Sequence, residues 1–385
     1  MKHILFVFGT RPETIKLAPV IKTMRQQPDR FRVGICLSGQ HRKMLKQTLR
    51  VFDIAADINL DIMTSDQDLF TITRQNLKGL QRVLAAENPD LVMVQGDTST
   101  ALAGGLAAYY QKIPLAHVEA GLRTGDKFSP YPEEMNRRLL GALSDYHFAP
   151  TARAKANLMA ENVSKKSIWI TGNTVVDALL GIMATLRAPR RQEKWRRYFR
   201  QRYRLPLPAL DDKTGAPIIL VTGHRRENFG QPLENICRAL RELAVRRPDC
   251  RIVYPVHLNP RVRVPVRSIL AGQPNIHLLE PLNYEAFVFL LASSYFILTD
   301  SGGIQEEAPT LGKPVLVMRQ NSERPEAIEA GTALLAGTGY QSILVHALEL
   351  LENPRQYKRM SRIANPFGDG RAGSRIAAVI SHTEN

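Results

Sequence analysis

Short apolar runs rich in β-branched residues alternate along this chain with longer segments of helical period, and the series runs out once and begins again. Runs at 3–8, 32–37, 91–95, 115–118, 146–149 and 168–171 are each followed by a helix-like segment; a second series occupies 218–222, 251–256, 277–279, 295–299 and 314–318. Runs that are apolar throughout predict strands of parallel sheets buried on both faces, which need a helical crossover between neighbours. The restart follows an Arg-rich, Pro-containing stretch at 187–217. We therefore read the chain as α/β, built from two Rossmann-like doubly wound domains at 1–175 and 176–365, the second including the basic segment 187–213. The 385 residues suffice for two separate cores. Ligands of such sheets bind beyond the carboxyl ends of the strands, so the expected site is an interdomain cleft lined by the loops that follow strands.

The formal charge of +16 raises the question of a nucleic-acid partner, but residues 187–204 hold 9 Lys+Arg against 1 Asp+Glu, half of the whole excess. The same segment places Trp195, Tyr198, Phe199 and Tyr203 at helical spacing. This predicts a basic helix laid on the protein by an aromatic stripe, its Arg side chains outward. Binding of a polyanion or a membrane surface is the other use of such a helix. The charge is local, and no nucleic-acid partner is expected. The apolar stretch 286–298 is shorter than the roughly 20 residues a bilayer span requires, and the N-terminus reads as a core strand rather than a signal peptide, so a cytoplasmic protein without a membrane span is expected. Cys36, Cys237 and Cys250 are far apart and form no CxxC, which favours buried thiols over disulfides or a metal site.

Unusual residues gather where the strands end. After the first strand, Gly9-Thr10-Arg11-Pro12-Glu13-Thr14-Ile15-Lys16 combines a glycine turn, a proline suited to a first helical turn and two cations. Arg11 and Lys16 either share one anion or are solvated. After 295–299, Asp300-Ser301-Gly302-Gly303 opens a helix whose first N–H groups suit phosphate oxygens, and Glu306 or Glu307 could accept ribose hydroxyls. These features describe a pocket for a nucleoside diphosphate. GxxxxGK[ST] and HExxH do not occur, and the match to GxGxxG at 368–373 has too little chain after it for a dinucleotide unit, so it reads as a loop capping the last helix. The acid/base candidates are Asp97, Glu119, Glu133 and His224. Asp97 also suits a helix N-cap, and Glu133 with Glu134 also suits a helix dipole. Glu119 lies in an apolar context, where an unpartnered carboxylate is costly.

The runs Phe8-Gly9-Thr10-Arg11-Pro12-Glu13, Gly96-Asp97-Thr98, His117-Val118-Glu119-Ala120-Gly121-Leu122-Arg123, Tyr131-Pro132-Glu133-Glu134, Ile170-Thr171-Gly172-Asn173-Thr174, Gly223-His224-Arg225-Arg226-Glu227, Tyr254-Pro255-Val256-His257, Asp300-Ser301-Gly302-Gly303-Ile304-Gln305-Glu306-Glu307 and Glu323-Arg324-Pro325-Glu326 resemble the non-hydrolysing bacterial UDP-N-acetylglucosamine 2-epimerases. The resemblance spans nearly the whole chain, the basic segment 187–213 excepted. It implies a glycosyltransferase-B-like fold, a C-terminal helix (366–385) crossing back onto the first domain, a homodimer, a UDP-sugar substrate, and neither nicotinamide cofactor nor metal. The implied reaction interconverts UDP-GlcNAc and UDP-ManNAc by elimination of UDP to 2-acetamidoglucal and re-addition, supplying ManNAc-type sugars for surface polysaccharide. By resemblance, Asp97, Glu119 and Glu133 exchange the proton, with His224 near the pyrophosphate. Arg11, Lys16, Ser301, Gly302, Gly303 and Arg324 would hold UDP, and Glu307 the ribose. The resemblance also implies a second, activating UDP-GlcNAc at Gln40, Glu133, Arg225 and His257. Lys43 and Asp66 depart there from the pattern of regulated members. A hydrolysing epimerase, an epimerase of a modified UDP-sugar and a polyanion-binding protein are the competing readings.

Overall fold

The first strand, β1 (Lys2–Phe8), is buried from His3 to Phe8 and pairs in parallel on both sides, with β2 (Phe31–Leu37) and β4 (Leu91–Gln95). The computed structural model describes residues 1–39, 42–62, 67–210, 212 and 215–383, and of residues 42–44 the backbone alone. From β1 the chain builds outward through α1 (Arg11–Arg25), β2, α2 (Arg42–Val51) and β3 (Ile58–Asn59). Through α3 (Leu69–Glu87) it then crosses to the other side of β1 and continues with β4, α4 (Ser99–Tyr110), β5 (Leu115–Val118), α5 (Glu133–Leu143), β6 (Tyr146–Ala149), α6 (Ala152–Ala160), β7 (Ile168–Ile170) and α7 (Thr174–Leu186). The sheet order is β3-β2-β1-β4-β5-β6-β7, every neighbouring pair parallel. The direction of building reverses between β1 and β4. Such a switch point parts the loops that follow the two strands and leaves room for a ligand.

The second series repeats the plan. After α8 (Pro189–Tyr203) come β8 (Ile218–Thr222), α9 (Gln231–Arg246), β9 (Arg251–Pro255), α10 (Pro260–Leu270), β10 (Ile276–Leu279), α11 (Tyr284–Ser293), β11 (Phe296–Thr299), α12 (Gly302–Glu307), β12 (Val315–Val317), α13 (Pro325–Ala330), β13 (Ala333–Leu335), α14 (Tyr340–Glu352) and α15 (Pro354–Ser361). The parallel order β10-β9-β8-β11-β12-β13 puts its switch point between β8 and β11. Contacts divide the chain into Met1–Ala178 with Phe367–Asn385, and Leu179–Pro366. The last helix, α16 (Ala372–His382), thus belongs to the first unit. Its Ile376, Ala377 and Ile380 join the core built by β1, β2 and α1. The 368–373 run leads into α16 with Arg371 at the N-cap, a loop before a helix and not a dinucleotide turn.

Two doubly wound parallel sheets are what the alternation predicts. Two strands lie outside the expected set: β3 makes only two residue pairings with β2, and β13 is a three-residue edge strand, both too short to leave an apolar run. In α8 the aromatic stripe is narrower than its spacing suggests. Trp195 and Phe199 are buried and Phe199 stacks on Phe289 of α11, whereas Tyr198 is 37% exposed. Arg191 and Lys194 pair with Glu285, so part of the charge of the basic segment is compensated within the unit. Among the described residues no helix is long and apolar enough to cross a membrane.

Gly121 has φ +90, and a Cβ there would lie 2.2 Å from the carbonyl oxygen of Ala154 in α6. Gly121→Ala must therefore pay both a left-handed backbone and a backbone clash. We expect a loss of about 2 kcal/mol or more, read from the midpoint of urea unfolding.

Candidate active site

In the first unit the loops after β1, β4 and β5 are tied together by buried carboxylates. Glu13, 1% exposed, accepts the N–H groups of Gly9 (3.1 Å) and Thr10 (2.7 Å) with one oxygen and the Thr98 hydroxyl (2.8 Å) with the other. It joins the turn after β1 to the turn after β4. Burial pushes its carboxyl above the usual range, against the pull of those hydrogen bonds. Beside it, Thr98 caps α4 by accepting from Ala101 N–H (3.0 Å), so the N-cap role open to Asp97 falls to its neighbour. Asp97 instead accepts from Arg137 Nε (2.9 Å), and its carbonyl accepts from Asn136 Nδ2 (2.8 Å), both residues of α5. Glu133 stands one turn before Asn136 and Arg137 and so shares their helix face. Its Oε2 is buried and, among the described residues, has no hydrogen-bond partner. Glu134 is the structural member of the pair: wholly buried, it accepts from Thr124 and Gly125 N–H and meets Arg137 and Arg138.

Glu119 ends β5 with φ +66, a left-handed conformation that ordinary side chains avoid. Its side chain is 6% exposed. One carboxylate oxygen accepts from the Lys16 ammonium and from Asn173 Nδ2 (2.9 Å), the other from Gln95 Nε2. Lys16 is thus engaged by a carboxylate, while Arg11 lies half-buried at the start of α1. A Cβ at Gly96 would lie 3.8 Å from Glu119 Oε2, which places Glu119 against the turn that carries Asp97. Beneath it, buried His117 donates from Nε2 to the Gly96 carbonyl (2.7 Å), and burial pushes its pKa down to about 3, so the ring is neutral.

The second unit gathers cations and their clamps. The Thr222 and Thr299 hydroxyls bridge the ends of β8 and β11 at 2.6 Å. Buried Asp300 accepts from the backbone N–H of His224 and Arg225 (2.9 Å each) and from Asn228 Nδ2 (3.1 Å), fixing the loop after β8. His224 stacks on His257 with centroids 5.4 Å apart. Desolvation lowers its pKa, and Asp300, 3.8 Å away, acts the other way. Arg225 meets both oxygens of Glu323 (3.3 and 3.1 Å). Arg319 meets Glu227 (2.5 Å) and Glu323 (3.3 Å), and Arg324 meets Glu306 (2.5 Å). The Arg324 guanidinium lies 3.6 Å from where a Gly302 Cβ would stand, and Glu307 accepts from Tyr284 OH (2.7 Å). Ser301 holds the N-cap position of α12 without a side-chain cap bond, its own N–H given to Thr299 Oγ1 (2.9 Å).

The structure therefore brings Asp97, Glu119, Glu133 and Lys16 together in the first unit, and His224, Arg225, His257 and Arg324, with the Ser301-Gly302-Gly303 turn, at the strand ends of the second. Gln40, Asp66 and the Lys43 side chain lie outside the described residues. Gln95, Arg137 and Arg319 join these groups without having been singled out in the sequence, and Asn173 and Asp300 lay in quoted runs without a role of their own. The signal for Gln95 is a polar residue ending an apolar strand. Among the described residues no group of three or more His, Cys, Asp or Glu is placed to share a metal ion.

A family model described as UDP-N-acetylglucosamine 2-epimerase matches residues 22–381. The chain is 50% identical over 380 residues to the UDP-N-acetylglucosamine 2-epimerase of Escherichia coli K12, covering 98% of each. The crystal structure of the UDP-GlcNAc 2-epimerase from Neisseria meningitidis bound to UDP-GlcNAc is similar with TM-score 0.92 and 45% identity, over 99% of this chain and 100% of that one. The Methanocaldococcus jannaschii enzyme in complex with UDP-GlcNAc and UDP gives 0.82 and 34% over the whole of both chains.

The neutral His117 has a consequence for stability. Its folded pKa, about 3, is far below the unfolded value near 6.5, so the unfolded chain takes up the proton first as pH falls. Its contribution is complete above about pH 6.5 and is lost progressively toward pH 3. His117→Gln keeps a side-chain N–H, and urea titrations across this range are expected to show a shallower acid loss than the wild type.

Proposed function

The chain belongs to the UDP-N-acetylglucosamine 2-epimerase family, and from that premise we propose that it inverts C2 of UDP-GlcNAc reversibly and without hydrolysis, as a cytoplasmic homodimer. The observation that carries the reading is Glu119: a carboxylate held at a strand end by a lysine and two amides, next to the turn that bears Asp97.

The chemistry explains the division of residues. The C2 hydrogen of the sugar lies beside no carbonyl, so its direct removal is prohibitive. Departure of UDP breaks the anomeric C1–O bond, the electron pair leaves with the β-phosphate oxygen, and the oxocarbenium-like C1 acidifies the C2 proton. An ordinary carboxylate can then accept that proton as the C1–C2 double bond forms, giving 2-acetamidoglucal. Return of UDP to C1 with protonation from the opposite face of C2 completes the inversion. The leaving diphosphate is the centre of charge development, and there preorganised donors act most strongly. We assign Arg11, Lys16, Arg324 and the Ser301-Gly302-Gly303 turn to UDP, Glu307 to the ribose, His224 to the pyrophosphate, and Asp97, Glu119 and Glu133 to proton exchange.

Turnover of UDP-GlcNAc in heavy water is expected to yield UDP-ManNAc, with deuterium at C2 of both nucleotide sugars by NMR. Free ManNAc with UDP would instead mark a hydrolysing enzyme, and full retention of hydrogen would sink the elimination. Glu119→Gln and Asp97→Asn should each lower turnover by about a hundredfold or more with the fold intact by circular dichroism.

We extend the proposal to an activating second UDP-GlcNAc. Glu133, Arg225 and His257 are its described residues; Gln40, and Lys43 where the pattern departs, are the remaining ones. A sigmoidal rate curve for UDP-ManNAc, made hyperbolic by trace UDP-GlcNAc, is the expected behaviour; a hyperbola from the outset would contradict it.

A further inference from the structure

The Glu119 carboxylate is held by donors from three elements: Lys16 of α1, Gln95 at the end of β4, and Asn173 in the loop after β7. The third is the unexpected one, because β6 lies between β7 and β5 in the sheet. Asn173 is 2% exposed, and each of its polar groups has a stated use. Its Oδ1 accepts from Val175 N–H (3.1 Å) at the start of α7, which turns Nδ2 toward Glu119. Its backbone N–H donates to the carbonyl of Phe367 (2.7 Å).

Phe367 lies almost 200 residues further on, where the chain re-enters the first unit. The contact there is backbone on backbone: a Cβ at Gly368 would stand 3.2 Å from Gly172 Cα and 3.5 Å from Asn173 N. Two further ties hold the same segments together. Arg375, itself paired with Asp369, donates to the Thr171 carbonyl (3.0 Å), and Asp177 accepts from Ala372 and Gly373 N–H (3.2 and 2.8 Å). The loop that carries Asn173 is therefore splinted by the returning chain on both sides of the residue.

We propose that Asn173 is a positioning residue for Glu119, and that the returning segment Phe367–Gly373 holds it in place, making the C-terminal segment part of the proton-exchange machinery. The inference rests on the assignment of Glu119 to proton exchange. A carboxylate that accepts a proton from carbon must present one lone pair in one direction. Three donors converging on its two oxygens leave little rotational freedom, and a misplacement of about an ångström costs up to a hundredfold in rate.

The test uses the full-length chain with three substitutions. Asn173→Ala removes the donor, and is expected to lower kcat about tenfold or more while KM for UDP-GlcNAc changes less than about twofold. Asn173→Asp keeps the cap on Val175 but puts a second carboxylate against Glu119. Like charges at that distance disfavour ionisation, so the acidic limb of the kcat profile should move up by about one pH unit or more. A purely structural role would lower activity without moving that limb. Gly368→Ala, which touches neither Glu119 nor the second unit's cations, should lower kcat in the manner of Asn173→Ala. Normal kcat in Asn173→Ala, or a pH profile of Asn173→Asp that superimposes on the wild type, would overturn the proposal while leaving an inactive Glu119→Gln, and hence the epimerase mechanism, standing. Glu119→Gln that keeps its turnover would overturn both.

Discussion

A carboxylate that takes up a proton from carbon has to be sheltered from water and yet keep its charge, and these demands conflict. An unpaired carboxylate in a buried site costs several kcal/mol. Glu119, the proposed base, is buried against one cation and two amide donors. The arrangement dictates much of the first unit. Lys16 must be one turn into α1, Gln95 must interrupt an apolar strand at its last residue, and the loop after β7 must reach back past β6. The left-handed backbone at Glu119 itself, a cost of order 1–3 kcal/mol, is tolerated because the surrounding bonds over-determine it. Glu13 plays the supporting part, joining the turns on which these groups sit.

The second unit faces the opposite problem. Arg319 and Arg324 are at least nine-tenths buried as side chains, and buried guanidinium groups need partners. Glu227, Glu306 and Glu323 supply them. These bonds are charge-assisted, and phosphate oxygens accept from guanidinium groups equally well, so under the proposed function a diphosphate can exchange for a carboxylate without leaving a cation bare. Asp300 keeps the loop bearing His224 and Arg225 fixed through their backbone N–H groups and through the Asn228 amide.

Sequence pattern alone carried the fold class, because a parallel sheet buried on both faces cannot avoid writing continuous apolar runs. It missed β3 and β13, which are too short to write any. The motif runs singled out Asp97, Glu119 and the Asp300-Ser301-Gly302-Gly303 turn, each just after a strand, and Glu133 at the start of α5. They did not reveal which of two adjacent candidates does what. Thr98 and not Asp97 caps α4, Glu134 and not Glu133 anchors the neighbouring loop, and Glu306 takes the arginine while Glu307 takes a tyrosine. These distinctions depend on contacts between residues far apart in sequence. The same holds for Gln95, Asn173, Arg137 and Arg319, whose roles exist only through a partner on another element. Nothing local in Ile170-Thr171-Gly172-Asn173-Thr174 says that its asparagine amide meets a carboxylate from β5.

Strongly displaced pKa values often mark catalytic groups, but burial alone also displaces groups of the core. His117 at about 3, Cys36 and Cys237 at about 12, and Tyr254 well above its usual value are all displaced chiefly by burial, and none is assigned to the reaction. When the leaving group departs first, the carbon acid it creates is strong enough for a carboxylate to accept the proton. What the reaction demands is direction for the base and charge for the leaving diphosphate. Under the proposed mechanism both demands fall to geometry: donors converging on Glu119 in one unit and guanidinium groups paired with carboxylates in the other.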